Sequence, residues 1–181
     1  MERLSAARFA TAADHCTNAR SHERRFCAYA IRKRKRIMAK ETLSLTLVRT
    51  FNAAPEKVWR ALTQPEALKQ WMGPSDAFTV PIADADVRVG GRYHIVMKSP
   101  DGEEHDVSGV YREVIRNRKL VFTWAWKSTP ERESLVTLEL SAAGGGTEFS
   151  LKHERFADAE ARDKHQQGWT GCIARLERLL A

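Results

Sequence analysis

Apolar and polar positions alternate with a period of two through most of residues 42–155, then switch to a helical period that runs to the end of the chain. The final segment, Asp158 to Leu180, puts Ala161, His165, Gly168/Trp169, Cys172/Ile173, Leu176 and Leu179/Leu180 on one stripe, the signature of a helix with one buried face. At 1.5 Å per residue this helix is roughly 34 Å long, enough to cross a sheet. A sheet closed by one such helix can hold a pocket.

Upstream, Leu43, Leu45, Leu47, Arg49 and Phe51 alternate with polar or small neighbours and predict a half-buried strand. Pro55 opens a short helix whose inner face is Val58, Trp59 and Leu62, and Pro65 to Trp71 forms a second that ends at Gly73-Pro74. Six further strands are predicted: Phe78 to Val87, Arg92 to Lys98, Glu104 to Ile115, Lys119 to Trp126, Ser134 to Ser141 and Thr147 to Arg155. Gly90-Gly91, Pro100-Asp101-Gly102, Arg116-Asn117-Arg118 and Gly144-Gly145-Gly146 separate several of them as hairpin turns. The order β, α, α, six β, α lacks the βαβ repeats of a parallel sheet, so the class is α+β with a curved antiparallel sheet of six to seven strands.

Aromatic residues carry the pocket signal. Tyr93, Ile95 and Met97 alternate on one strand, Tyr111 lies on the next, and Leu120, Phe122, Trp124 and Trp126 follow on the one after. In the inward register these face Phe149, Leu151 and His153 of the last strand and Trp169, Ile173 and Leu176 of the helix. The candidate ligand-binding set is therefore Tyr93, Ile95, Met97, Tyr111, Phe122, Trp124, Phe149, Leu151, His153, Trp169, Ile173 and Leu176. The same residues would equally fill a close-packed core. Gly168 and Gly171 flank Trp169, and each costs about 1 kcal/mol against Ala in a helix interior. That cost implies tight or shaped packing, with the helix close to the sheet or bent beside the Trp.

No catalytic constellation or metal site is expected. Cys-x-x-Cys, His-Glu-x-x-His and EF-hand spacings are absent, and the Gly-rich turns lead into strands rather than helices. No cofactor is implied. Cys172 reads as a small core residue, and His153 as a buried histidine satisfied by a neighbour or, alternatively, as a pocket acid/base. His94 and His105 look solvent-facing or turn-proximal. Arg49 and Glu113 interrupt apolar faces and would be costly to bury alone, so they are expected to pair with each other or with a polar ligand.

The 181 residues carry a formal charge of +7. Residues 1–37 hold ten Lys/Arg against three Asp/Glu, while residues 38–181 hold twenty of each. The body is neutral, which removes the case for nucleic-acid binding by it. Residues 1–38 read as a basic leader, an upstream extension rather than a signal peptide, with Met38 the expected start; residues 39–181 read as one ligand-binding domain. No run of apolar residues is long enough for a membrane span. Cys172 is the single thiol of the body, which suits a cytoplasmic location.

The segments RTFNAAPEKVWRALTQPEALKQW (49–71), VGGRYHIVMKSPDG (89–102), SGVYREV (108–114), KLVFTWAW (119–126) and GGTEFSLKHERFADAEARDKHQQGW (145–169) resemble the SRPBCC (START/birch-pollen-allergen) superfamily. The resemblance is to its branch of homologues of the activator of the heat-shock protein 90 ATPase. It implies a helix-grip fold, a curved sheet wrapped around the C-terminal helix with two short helices filling the open end. Members of the wider superfamily hold apolar ligands in the gap between sheet and helix. The expected function is non-enzymatic binding of a small, largely apolar molecule. Two alternatives follow from the resemblance: an adaptor acting on a heat-shock protein 90 type ATPase, or a cyclase- or hydrolase-like enzyme with His153, Tyr93, Tyr111 and Glu113 as acid/base candidates. The 37 preceding residues are too short and too basic to be the separate N-terminal domain of the eukaryotic activators. Oligomeric state is not legible.

Overall fold

The computed structural model describes residues 43–181. The expected basic leader, with Cys16, Cys27 and the Arg32 to Arg36 run, lies outside the described residues. Within them the order is β1 (Ser44–Phe51), α1 (Pro55–Thr63), α2 (Pro65–Trp71), β2 (Thr79–Ala85), β3 (Arg92–Lys98), β4 (Glu104–Ile115), β5 (Lys119–Trp126), β6 (Ser134–Ala143), β7 (Gly146–Glu154) and α3 (Ala159–Leu180). Seven antiparallel strands form one curved sheet in the order β1-β7-β6-β5-β4-β3-β2. The helix-grip α+β fold is the one expected from the sequence.

Strands β2 to β7 are a hairpin meander, and β1 closes it by pairing with β7, from Ser44 opposite Glu154 to Phe51 opposite Thr147. β1 and β2, adjacent in sequence, therefore lie at opposite edges. At about 4.8 Å per strand the edges of a flat seven-strand sheet would be roughly 29 Å apart, and α1 and α2 occupy the connection. Each starts on a proline, whose missing N–H would be unpaired there anyway. Gln64 is extended and serves as the C-cap of α1 and the N-cap of α2, and the Trp71 indole N–H donates to the Ala61 carbonyl at 2.8 Å, tying one helix to the other. The β6–β7 turn is a two-residue hairpin in which Gly144 and Gly145 both take positive φ, 56° and 87°.

Asp158 caps α3, its side chain accepting from the Ala161 N–H at 2.8 Å. The buried face of α3 is its C-terminal half: Trp169, Cys172, Ile173, Leu176 and Leu180, which pack with β1, α1 and α2. Full burial of Ile173 and Leu176 contributes roughly 1.5–3 kcal/mol each. Ala161, His165 and Gly168, on the same stripe, are only half-buried. The stripe is thus continuous in sequence and divided in space.

Two expectations are corrected. Arg49 and Glu113 are not paired: the Arg49 guanidinium is exposed and donates to the Val48 carbonyl at 2.8 Å, and Glu113 meets Lys119 at 3.1 Å. The edge position of β1 lets a charged residue on its inward register reach water. The close approach at Gly171 is not to the sheet but to the turn after α2, where a Cβ would lie 2.0 Å from the Pro74 carbonyl oxygen. The Gly73 N–H donates to Cys172 Sγ at 3.2 Å beside it, and Arg175 reaches Asp76 at 3.3 Å. Gly171→Ala should therefore destabilise the protein by about 1–3 kcal/mol, although alanine is the better helix former. Urea unfolding checks this, and an unchanged midpoint would remove the contact from the account.

Candidate functional site

Along the N-terminal half of α3 the sheet and helix part to leave a cavity of about 900 Å³, partly open to solvent. Its apolar wall includes Met72, Phe78, Met97, Trp124, Trp169 and Cys172. Further rings come from Trp126 at the end of β5, His105 in β4, Phe156 in the β7–α3 link and His165 in α3. The rim is charged with both signs: Lys127 meets Asp106 at 3.3 Å, Arg132 meets Asp158 at 3.2 Å, and Lys164 meets Glu160 at 2.8 Å, while Glu103 and Glu104 complete it. The cavity is apolar inside and ringed by charged side chains at the mouth, and its volume falls in the range of small-molecule sites.

Of the twelve residues expected from the sequence, Met97, Trp124 and Trp169 line this cavity. Tyr93, Ile95, Tyr111 and Phe122 lie deeper, around a void of about 30 Å³ that is too small for an organic ligand. Their rings fill that space against one another: Tyr93 packs edge-on to Phe122 with centroids 5.3 Å apart, and Tyr111 lies 5.8 Å from both. Phe149, Leu151, His153, Ile173 and Leu176 are fully buried and border neither space.

His105, Phe78, Trp126, Phe156 and His165 line the cavity beyond the twelve candidates, and the solvent-facing or turn-proximal expectation is corrected for His105. It is half-buried against Phe78 and Trp126, at ring distances of 5.8 and 6.4 Å. Trp126 continues the alternation of Phe122 and Trp124 and belongs to the inward aromatic series read from the sequence. Phe156 does not, because the link it occupies has no period.

A hydrogen-bonded chain fixes the ring cluster behind the cavity. The Trp169 indole N–H can only donate, and its partner at 3.0 Å is His153 Nδ1. The neutral His153 ring therefore carries its proton on Nε2 and donates it to Ser134 Oγ at 2.7 Å, whose hydroxyl donates to the Trp124 carbonyl at 3.1 Å. His165 is set in the same way: the Trp126 indole N–H donates to Nε2 at 3.0 Å, and Nδ1–H donates to the Ala161 carbonyl at 2.7 Å. The Trp124 indole N–H is buried without a partner among the described residues, a cost of about 1–3 kcal/mol.

Burial pulls His153 well below the ordinary imidazole range, helped by the nearby His165, and burial also lowers His165. Burial raises Tyr93 well above its usual value, with Tyr111 adding to it, and pushes Tyr111 up to about 12 and the Cys172 thiol up to about 11. The Tyr93 hydroxyl donates to the Thr123 carbonyl at 2.8 Å. Tyr93, Tyr111, Glu113 and His153, the acid/base candidates, do not converge on the cavity. Among the described residues, no group of three or more His, Cys, Asp or Glu side chains is placed to hold a metal ion. No described helix is long and apolar enough to cross a membrane.

A curved antiparallel sheet gripping a C-terminal helix, with a half-open cavity between them, defines a helix-grip domain of the START-like type. A profile of the family described as Activator of Hsp90 ATPase homolog 1-like protein matches residues 52–181, and the chain belongs to that family. It is 30% identical over 129 residues to the human protein named Activator of 90 kDa heat shock protein ATPase homolog 1, covering 71% of this chain and 34% of that one. The chain thus spans about a third of the length of this curated relative. Among solved structures, a protein from Chromobacterium violaceum superposes with a TM-score of 0.69 at 26% identity, covering 76% of this chain and 96% of that one. The AHSA1 protein from Silicibacter pomeroyi gives 0.68 at 29% identity with the same coverage.

The pKa of His153 has a consequence for stability. With a folded-state pKa below the unfolded value of about 6.5, the unfolded chain binds more protons under acid conditions. Stability should be complete above about pH 6.5 and fall progressively as the pH drops towards the folded pKa, His165 adding to the slope. Urea unfolding between pH 8 and 5 measures the fall, and NMR titration of the His153 ring should show it neutral where an ordinary imidazole is half-protonated. A His153 ring titrating near pH 6.5 would contradict the burial argument.

Proposed function

We propose that this domain binds a small, largely apolar molecule, without chemistry, in the cavity between its sheet and α3. The observation that carries the reading is the cavity itself: about 900 Å³, walled by aromatic and thioether side chains and rimmed by paired charges. Such a wall gains stability when water is displaced by apolar surface, at roughly 25 cal/mol per Å² buried. Native mass spectrometry of the full chain, purified gently from its source, should find a stoichiometric small molecule that denaturing extraction releases. A bare mass, together with no thermal shift across a hydrophobic ligand panel, would dispose of the reading.

One observation favours a second reading, an adaptor for a chaperone ATPase: the similarity to the human activator of the 90 kDa heat shock protein ATPase. The match spans 34% of that protein, so its activity is carried over here as a proposal only. Added at saturating concentration to the heat-shock protein 90 of its own source, the chain should raise the ATPase rate if this reading holds. An unchanged rate would remove it. Cys172 has no second cysteine within residues 38–181 to pair with, which supports a reducing compartment such as the cytoplasm for either role.

A further inference from the structure

Gly168 lies in the interior of a 22-residue helix, where glycine costs about 1 kcal/mol relative to alanine. Two structural needs ordinarily justify such a residue, a left-handed backbone or a close approach. Neither applies. The glycines with positive φ are Gly73, Gly90, Gly102, Gly144 and Gly145, and a Cβ built on Gly168 meets nothing within 4 Å. Gly171, less than one turn further along, is the opposite case, with the Pro74 carbonyl oxygen 2.0 Å from its virtual Cβ.

What Gly168 borders is the cavity. The missing side chain therefore has one effect there, to bare a strip of helix backbone between Lys164, His165 and Cys172, all of which line the same space. To the same lining the sheet supplies the rings of Trp124 and Trp126, and Phe78 and Phe156 add two more. Aromatic rings favour offset stacking or edge-to-face contact with another ring, and a lining rich in rings beside bared helix backbone suits a planar ligand.

We propose that Gly168 is the specificity-determining residue of the cavity, and that the ligand is a planar, ring-bearing molecule lying against the bared backbone with its polar end at the charged rim. The inference rests on the ligand-binding reading above and adds to it a shape and a residue.

The test uses the full chain, the variants Gly168→Ala and Gly168→Leu, and two fluorescent probes: 1-aminoanthracene, which is planar, and cis-parinaric acid, a polyene fatty chain. Wild type should bind 1-aminoanthracene more tightly than the chain probe. Gly168→Ala should raise the melting temperature and weaken 1-aminoanthracene about threefold, and Gly168→Leu should weaken it about tenfold or more. Unchanged affinity for the planar probe in both variants would overturn the role of Gly168 while leaving ligand binding intact. A lower melting temperature for Gly168→Ala would mean that the glycine serves packing, and would overturn it too. If wild type prefers the fatty chain, the planar class is wrong. If wild type binds neither probe, the ligand-binding reading for apolar ligands falls and takes the inference with it. Should Gly168→Leu fail to fold, Gly168→Ala alone decides.

Discussion

The bond from the Trp169 indole to His153 is the constraint on which the site depends. It lies at the residue where the packed half of α3 gives way to the half that lines the cavity. Through His153, Ser134 and the Trp124 carbonyl it continues across β7, β6 and β5, so that one hydrogen-bonded chain joins the helix to three adjacent strands. Each neutral bond contributes only about 1 kcal/mol net, but breaking one leaves a buried donor or acceptor unpaired at a cost of about 1–3 kcal/mol. A chain of this kind fixes orientation more than it adds stability. It holds the Trp169 ring 5.0 Å from that of Trp124, and these two rings form the back of the cavity.

The elements were legible in the sequence because each has a period that burial enforces. The alternation of β5 and β7 placed Trp124 and His153 inward, and both are buried. The site was legible only in part, because periodicity tells which face a side chain takes and not how far the opposite wall stands from it. Tyr93 and Phe122 share the inward face with Met97 and Trp124, yet they meet other rings where those two meet open space. That difference arises from the curvature of the sheet and from α1 and α2, which cover the deep end. Likewise the partners of His153, Ser134 and Trp169, lie 19 and 16 residues away, and no local pattern joins them. Arg49 shows the converse: its inward register was correct, and the edge of the sheet made that register exposed.

Gly168 and Gly171 are identical in sequence terms, two glycines three apart in one helix, and the structure separates them. Gly171 is forced by a backbone carbonyl that no side chain could avoid. Gly168 meets no such obstacle, so its cost in helix stability is uncompensated by packing. Uncompensated local costs concentrate where a protein does something other than fold.

The walls of the cavity differ in how readily they can change. Trp124 and Trp169 are 4% exposed; the Trp169 ring is held by its bond to His153, and the Trp124 ring by packing 5.0 Å from it. The rim pairs are exposed, and pairs of that kind contribute only about 0–1 kcal/mol. Arg132 and Lys164 can therefore leave their carboxylate partners at little cost, whereas moving a ring of the back wall would disturb β5, β6, β7 and α3 together. On the proposed ligand-binding reading, such an arrangement would give a floor that selects shape and a mouth that tolerates different head groups. If the cavity binds as proposed, relatives would share the back wall and differ at the rim, and a substitution on the floor would change which molecule enters where one on the rim would change how tightly it is held.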